Sequence, residues 1–523
     1  MTVRPGQSRR DFLRGAGAGA AVLAGVGLLD ACASSSHSPV AATSRPRRGG
    51  TLRIGCTGGA SSDTLNPLAQ ATNPDLVREP LLFDCLVQFD ENAIPALQLA
   101  EQITPNQDAT AWDIRLRDGV EFHNGKTMTA ADVLYTFTQI LNPQHPLDGA
   151  SSLAFIDLKS TRVIDDRTLR VACHRPVAPF VEALATCANS AIQPAGFNPA
   201  APVGTGPFRY ESFTPGVQST FQRNPNYWRV GLPYLDAVSV IDFADDTSQI
   251  NALQSGQIDA IAFLEAVSVN LLKSAGYQAQ TSAGGFWNPF TMRVDKPPFD
   301  DVRVRQAFRL MVDRQQMRDV VYGGYGAIGN DLFAPWDPEY DARLPQRAQD
   351  LDQAKFLLKQ AGAENLRVTL VTSPIANGIV DAATVFARQA SGAGVTVTVD
   401  QVPTSTFYGP NYLQWTFAQD VWDYNPFWSQ VAATTLPGSS FNETHYSDPR
   451  YAALYDEGLK TLDKAKRSEI ATELQQIQYE EGGYIVPVIV PNLSACSPSV
   501  SGLGASKCGL PFNSSDLTKA WIS

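Results

Sequence analysis

An α/β fold is predicted from three observations. Short runs with alternating apolar residues read as strands, as in "TLRVACHR" and "VSVIDF". Other runs place apolar residues at helical spacing, as in "DDVRVRQAFRLMVDRQQM" and "LDQAKFLLKQAG". The two kinds alternate along the chain, and "RVTLVTS", a helical stretch and "VTVTVDQVP" together form a βαβ-like unit. No internal repeat is present.

Taken in order, "GGTLRIGC" enters a strand that "SSDTLNPL" breaks with Asp, Asn and Pro, and a helix follows over residues 76–86. In "WDIRLRDGVEFHNGKTMTAADVLYTF", Trp112, Ile114 and Leu116 alternate as a strand and "HNGK" turns the chain. Thr129 with Asp132 then caps a helix carrying Val133, Phe137 and Ile140 on one face. "PVGTGPFRYESF" is a Gly/Pro-punctuated entry to another strand. A single helix is predicted from Asp301 to a stop at Gly323-Gly324, with Val304, Phe308, Met311 and Val312 on its apolar face. A second closes on Gly362, and a third lies around residues 382–389.

The first residues carry an address rather than fold. Arg9-Arg10 followed by Phe12 and Leu13 fits a twin-arginine export signal, and the apolar run 16–29 is too short for a membrane span. Leu29-Asp30-Ala31-Cys32 fits a lipoprotein cleavage box with Cys32 as the lipidated residue, although Asp30 departs from the usual small or aliphatic residue. Residues 1–31 are thus expected to be a signal peptide and 32–50 a flexible tether. This places the body in the periplasm or on the outer face of the cell membrane.

The 523 residues, 44% of them hydrophobic, suffice for more than one domain. A formal charge of -11 argues against nucleic acid as a partner. Outside the signal and its box, six cysteines remain, an even number for an oxidising compartment. The short loops favour Cys173 with Cys187 and Cys496 with Cys508, leaving Cys56 with Cys85. Chemistry is poorly supported. "NGKT" lacks the earlier Gly of a phosphate loop, since that position is Val120, and HExxH, GxSxG and GxGxxG patterns are absent. No metal, cofactor or catalytic residue is expected.

Six motifs in order carry a likeness: "WDIRLRDGVEFHNGKTMTAADVLYTF", "PVGTGPFRY", "RNPNYWRVGLPYLDAV", "ALQSGQIDAI", "KPPFDDVRVRQAFRLMVDRQQM" and the pair "FNETHYSDPRYAALYDEG" and "YIVPVIVP". Through them the chain resembles the extracytoplasmic solute-binding proteins of the peptide/nickel family, solute-binding protein family 5, which serve ABC importers. The resemblance implies a two-lobed periplasmic-binding-protein-like fold of class II with an extra α/β subdomain. Residues 51–82, 194–288 and 482–523 would form lobe I, 83–193 the extra subdomain and 289–481 lobe II. It also implies a monomeric, non-enzymatic receptor that closes by a hinge on a small solute, an oligopeptide above all. The receptor would deliver that solute to a permease with its cytoplasmic ATPase. A secreted hydrolase or a sensor domain on the same scaffold is the alternative.

For the ligand site, the family places a carboxylate after a strand to pair with the peptide amine. The matching stretch is "YLQWTFAQDVWDYNPFW". Asp420 is favoured because the apolar strand ends there; Asp423, beside Tyr424, is the second choice. Trp422 and Tyr424 are candidate walls, with Trp415, Phe427 and Trp428 divided between pocket and core. Phe286, Trp287 and Asn288 fall where the family crosses between lobes, although Arg293 stands where many relatives have Asn. Gly204 and Gly206 offer backbone amides to a ligand or simply serve their turn. Asp63 and Asn66 fit a cleft wall or an Asx-turn. His445 is expected to be a satisfied structural residue.

Overall fold

A computed structural model describes residues 45–70, 72–145, 147, 149–186 and 190–523. The signal peptide, Cys32, most of the tether and Cys187 lie outside the described residues. Among those described, no helix is long and apolar enough to cross a membrane.

Three sheets organise the body. The largest has nine strands, in the order Trp422–Asp423, Gln278–Trp287, Val488–Cys496, Ala260–Ile261, Thr51–Thr57, Ala237–Phe243, Gln218–Arg223 and Phe208–Thr214, with Ala327–Ile328 also on Val488–Cys496. Its founding strand alternates as the sequence predicts: Leu52, Ile54 and Cys56 are fully buried. A five-stranded sheet runs Thr396–Gln401, Arg367–Thr372, Phe417–Gln419, Phe290–Met292 and Tyr484–Ile485. In it, Arg367–Thr372 and Thr396–Gln401 pair in parallel around the helix Ile379–Ser391, the expected βαβ unit. A four-stranded antiparallel sheet comprises Ala100–Pro105, Ala111–Leu116, Thr168–Ala172 and Arg162–Asp165.

On that small sheet lies the helix Ala130–Ile140. Thr129 and Asp132 close its capping box, and Val133, Phe137 and Ile140 are fully buried in one core with Ile114 and Leu169. Each of the three contributes about 1.5–3 kcal/mol of apolar burial. Asp132 also accepts from Lys126 at 2.6 Å and from the Ala195 N–H at 3.0 Å, so one side chain ties the "HNGK" turn, the helix start and a distant loop together.

Two helices depart from expectation. The long one over residues 302–323 is two, Val302–Leu310 and Arg314–Val321, because Asp313 caps the second through the Gln316 N–H at 2.9 Å and Arg314 turns inward to Asp331 at 2.7 Å. The helix predicted over 76–86 is Asn73–Leu82, capped by Thr72, and it ends where Phe83 becomes extended.

The disulfide expectations need correction as well. Cys56 and Cys496 are buried free thiols, so neither Cys56–Cys85 nor Cys496–Cys508 is formed. Cys56 points into the core of the large sheet, whereas the Cys85 sulfur lies 4.0 Å from Glu79. Cys496 sits in the middle of a paired ladder, and the Cys508 sulfur lies 2.8 Å from the Ser506 hydroxyl. Nearness in sequence did not set these Cβ atoms within the roughly 4 Å a disulfide needs. Burial pushes both free thiols up, Cys496 to about 11.

Three segments pass directly from one large sheet to the other. Gln278–Trp287 continues into Phe290–Met292, Tyr484–Ile485 into Val488–Cys496, and Phe417–Gln419 into Trp422–Asp423. Tyr484–Ile485 belongs to the five-stranded sheet and Val488–Cys496 to the large one, so the second passage lies after Ile485. Asp420 stands inside the third passage.

Candidate functional site

A cavity of about 880 Å³ opens where residues 76–89, 408–425 and 508–518 converge. The third passage forms one wall because its two strands belong to different sheets, leaving residues 420–421 between them. Asp420 is anchored there by its own N–H, which donates to the Pro289 carbonyl at 3.2 Å.

The Asp420 carboxylate is held by three donors. Tyr408 donates to Oδ1 at 2.9 Å, Tyr412 to Oδ2 at 3.0 Å, and the Val421 N–H to Oδ1 at 2.8 Å. Tyr408 and Tyr412 stand four residues apart, where the short helix Thr404–Phe407 ends, with ring centroids 5.0 Å apart, and they grip the carboxylate together. Behind Asp420 lies Glu443, fully enclosed, whose oxygens accept from Trp422 Nε1 at 2.9 Å and the Tyr484 hydroxyl at 2.5 Å.

The two carboxyls share a hydrogen bond, which requires one proton between them. Burial, and then the Asp420 charge, push Glu443 well above the usual carboxylate range. Asp420 is raised by burial too, but the hydrogen bonds from Glu443, Val421, Tyr408 and Tyr412 pull the other way. Glu443 is therefore the carboxyl raised the further, while its partners hold Asp420, on the cavity wall, toward the charged form. No arginine or lysine among the described residues forms an ion pair with either.

Of the other candidates, Phe286, Trp422, Asp423 and Tyr424 line the cavity. Tyr424 meets Phe89 edge-on at 5.7 Å, joining this wall to the strand Val87–Phe89. Trp287 does not line it: it is buried between Trp422, at 6.0 Å, and the edge of Tyr484, at 5.5 Å. Asn288 is buried, donating to the Tyr322 hydroxyl at 3.2 Å.

Gly204 and Gly206 serve close packing. A Cβ on Gly204 would fall 1.9 Å from the Leu82 carbonyl oxygen, and the Gly206 N–H already donates to that oxygen at 2.9 Å. Asp63 is committed to Arg78 at 2.8 Å, and Asn66 forms a turn with the Leu68 N–H while accepting from Gln193. His445 bonds the Leu413 carbonyl at 2.9 Å, and Arg293 is tied to Asp295 at 2.7 Å. Trp415 packs on Phe407, and Phe427 and Trp428 lie in a core cluster.

Sequence reasoning missed Tyr408, Tyr412, Glu443 and Glu79. The tyrosines had a usable signal, the i, i+4 spacing just upstream of the strand. Glu443 had none, since its role depends on a contact 23 residues distant in the chain.

Comparison with known proteins follows the same line. The family described as bacterial extracellular solute-binding proteins, family 5, middle region, matches residues 95–453. The glutathione-binding protein GsiB of Pectobacterium atrosepticum is 24% identical over 461 residues, covering 83% of this chain and 88% of the relative. The binding protein AgaA of A. tumefaciens R10, solved with agropinic acid, superposes with a TM-score of 0.74 at 23% identity, covering 91% of this chain and 99% of that one. The periplasmic binding protein DppA of Helicobacter pylori, solved with the peptide STSA, gives a TM-score of 0.74 at 21% identity, with 91% and 98% covered. At those identities the structures establish the fold.

Proposed function

The chain belongs to the bacterial extracellular solute-binding proteins of family 5, and from that premise we propose that it captures small oligopeptides by pairing their terminal ammonium with Asp420. As a member of that family it is a two-lobed solute-binding protein of an ABC importer and not an enzyme. The observation that carries the peptide reading is the Asp420 carboxylate itself, turned to the cavity, oriented by Tyr408 and Tyr412 and lacking a protein cation. An ammonium placed there completes an ion pair worth roughly 4 kcal/mol before desolvation at an effective dielectric near 20.

Closure follows from the same wall. The cavity is lined by Phe286, Trp422, Asp423 and Asn492 of the nine-stranded sheet and by Tyr408, Tyr412 and Asp420 from the segments that follow strands of the five-stranded one, so a ligand touching both groups favours the arrangement in which they are near, and the permease receives the closed form. The passages around Pro289, Asp420 and Pro487 are the hinge in this reading. Lobe I is assigned to the large sheet, lobe II to the five-stranded sheet and the extra subdomain to the four-stranded one. Twin-arginine export and a lipid anchor at Cys32, supported by the N-terminal sequence, would hold a monomeric receptor beside its transporter.

Titration calorimetry with a tripeptide and its N-acetylated form tests the amine contact. The free amine binds at least about 100-fold more tightly, and Asp420→Asn erases that difference; equal affinities would remove the assignment.

A further inference from the structure

The charge of the cavity constrains the rest of the ligand. Among the described residues lining it, the carboxyls are Glu79, Asp84, Asp420, Asp423 and Asp516, and the single cation is Arg229. Arg229 is committed to Asp516 at 3.0 Å. The other four have no ion-pair partner among the described residues. Asp84 is oriented by neutral donors alone: the Tyr227 hydroxyl at 2.8 Å, the Thr205 hydroxyl at 2.9 Å and Trp228 Nε1 at 3.1 Å. Asp423 has neither a hydrogen bond nor an ion pair from any described side chain.

Two other groups of buried acids are neutralised from within: Asp331 meets both Arg314 and Arg347, and Asp63, Asp75 and Asp242 surround Arg78. The buried Asp420 keeps no protein cation, and with Arg229 bound to Asp516 the lining carries an excess of acids that a cationic ligand offsets. The walls around them are aromatic. Asp423 stands opposite Phe286 across the strand pair, so the two share one face of the sheet edge, and ring faces attract ammonium and guanidinium groups. The Tyr424 hydroxyl, also on this wall, is buried with no hydrogen-bond partner, so a polar group remains to be met.

We propose that the cavity selects solutes of net positive charge: besides the ammonium at Asp420, the ligand carries a second cation, a lysyl or arginyl side chain, that pairs with Asp423 beside Phe286. The Asp420 contact rests on the reading above; the second contact rests on the geometry of Asp423. No unpaired cation on the described lining awaits a ligand carboxylate, so acidic peptides are disfavoured.

Calorimetry with Ala-Lys-Ala, Ala-Ala-Ala and Ala-Glu-Ala, and with glutathione as an anionic probe, tests this. The lysyl peptide binds at least about tenfold more tightly than the alanyl one, the glutamyl peptide and glutathione more weakly than either. Asp423→Asn narrows the preference for the lysyl over the alanyl peptide to within about twofold. Equal affinities across the series, or a lysyl preference that survives Asp423→Asn, would overturn the proposal. N-acetylated Ala-Lys-Ala separates the two contacts, because retention of the lysyl preference after acetylation supports Asp423 even where the amine reading fails. If no peptide binds, spermidine and cadaverine replace them: Asp423-dependent binding upholds cation selection without the peptide reading, and no binding at millimolar concentration overturns both.

Discussion

Two buried acidic clusters in this molecule share a residue type and differ in what completes them. Around Arg78, three aspartates converge at 2.7–3.3 Å, and Ser219 takes the remaining guanidinium hydrogen at 2.9 Å. Around Asp420 and Glu443 the chain supplies five hydroxyl, amide and indole donors but no cation. The first cluster is closed and pins the helix Asn73–Leu82 to the large sheet. The second is left incomplete on the side that faces a cavity. Between these two clusters, the one with a self-supplied cation is architecture, and the one that lacks it and opens on a cavity is the place for a ligand.

The largest effect that separates the two is expected on stability. Arg78→Met strands three carboxylates and should cost about 3–5 kcal/mol in urea unfolding, while peptide affinity of the folded protein stays as it was. A loss below about 1 kcal/mol would break the comparison. Asp420→Asn should do the reverse. It weakens an amine-bearing peptide by about 3 kcal/mol, roughly 100-fold, and leaves the melting temperature equal or higher, because an acid without a counter-cation has been removed.

A smaller effect appears with pH at Glu79, on the cavity wall, which burial and then Asp84 push up to about 8. A carboxyl whose pKa is raised by folding stabilises below its unfolded value, near 4.5, and that contribution is lost as pH rises toward 8. Glu79→Gln should therefore melt with the wild type at pH 4 and about 2–4 °C above it at pH 8; a constant difference would contradict the assigned burial. The smallest effect is expected from reductant. With Cys56 and Cys496 free, dithiothreitol should move the melting temperature by less than about 1 °C, whereas loss of a structural bridge costs about 2–5 kcal/mol.

Much of the fold was legible in the sequence because its signals are local. The Thr129–Asp132 capping box, the alternation of Leu52, Ile54 and Cys56 and the βαβ unit around Ile379–Ser391 each involve neighbours within one element or one loop. The helix after Asp301 was misjudged where a local signal competed with a longer one. Its apolar spacing runs through Met311 and Val312, but Asp313 caps a new helix and Arg314 is drawn to Asp331.

At the site, Asp420 was accessible because it ends a strand. Glu443 was not, since a carboxyl 23 residues away acquires meaning only when Trp422 and Tyr484 close around it. Asp63, Gly204 and Gly206 show the converse. Their residue types suit a cleft, yet Arg78 claims the first and the Leu82 carbonyl requires the absence of a side chain at the other two.

The central claim is that the Asp420 carboxylate awaits a ligand cation, whose arrival offsets the charge that helps keep Glu443 protonated behind it. Calorimetry of Ala-Lys-Ala at pH 6.5, where the peptide amines are already charged, performed in buffers of different ionisation enthalpy, counts protons directly. Net proton release on binding, reduced in Glu443→Gln, is the predicted result. Tight binding with no release, or with uptake, would contradict the account.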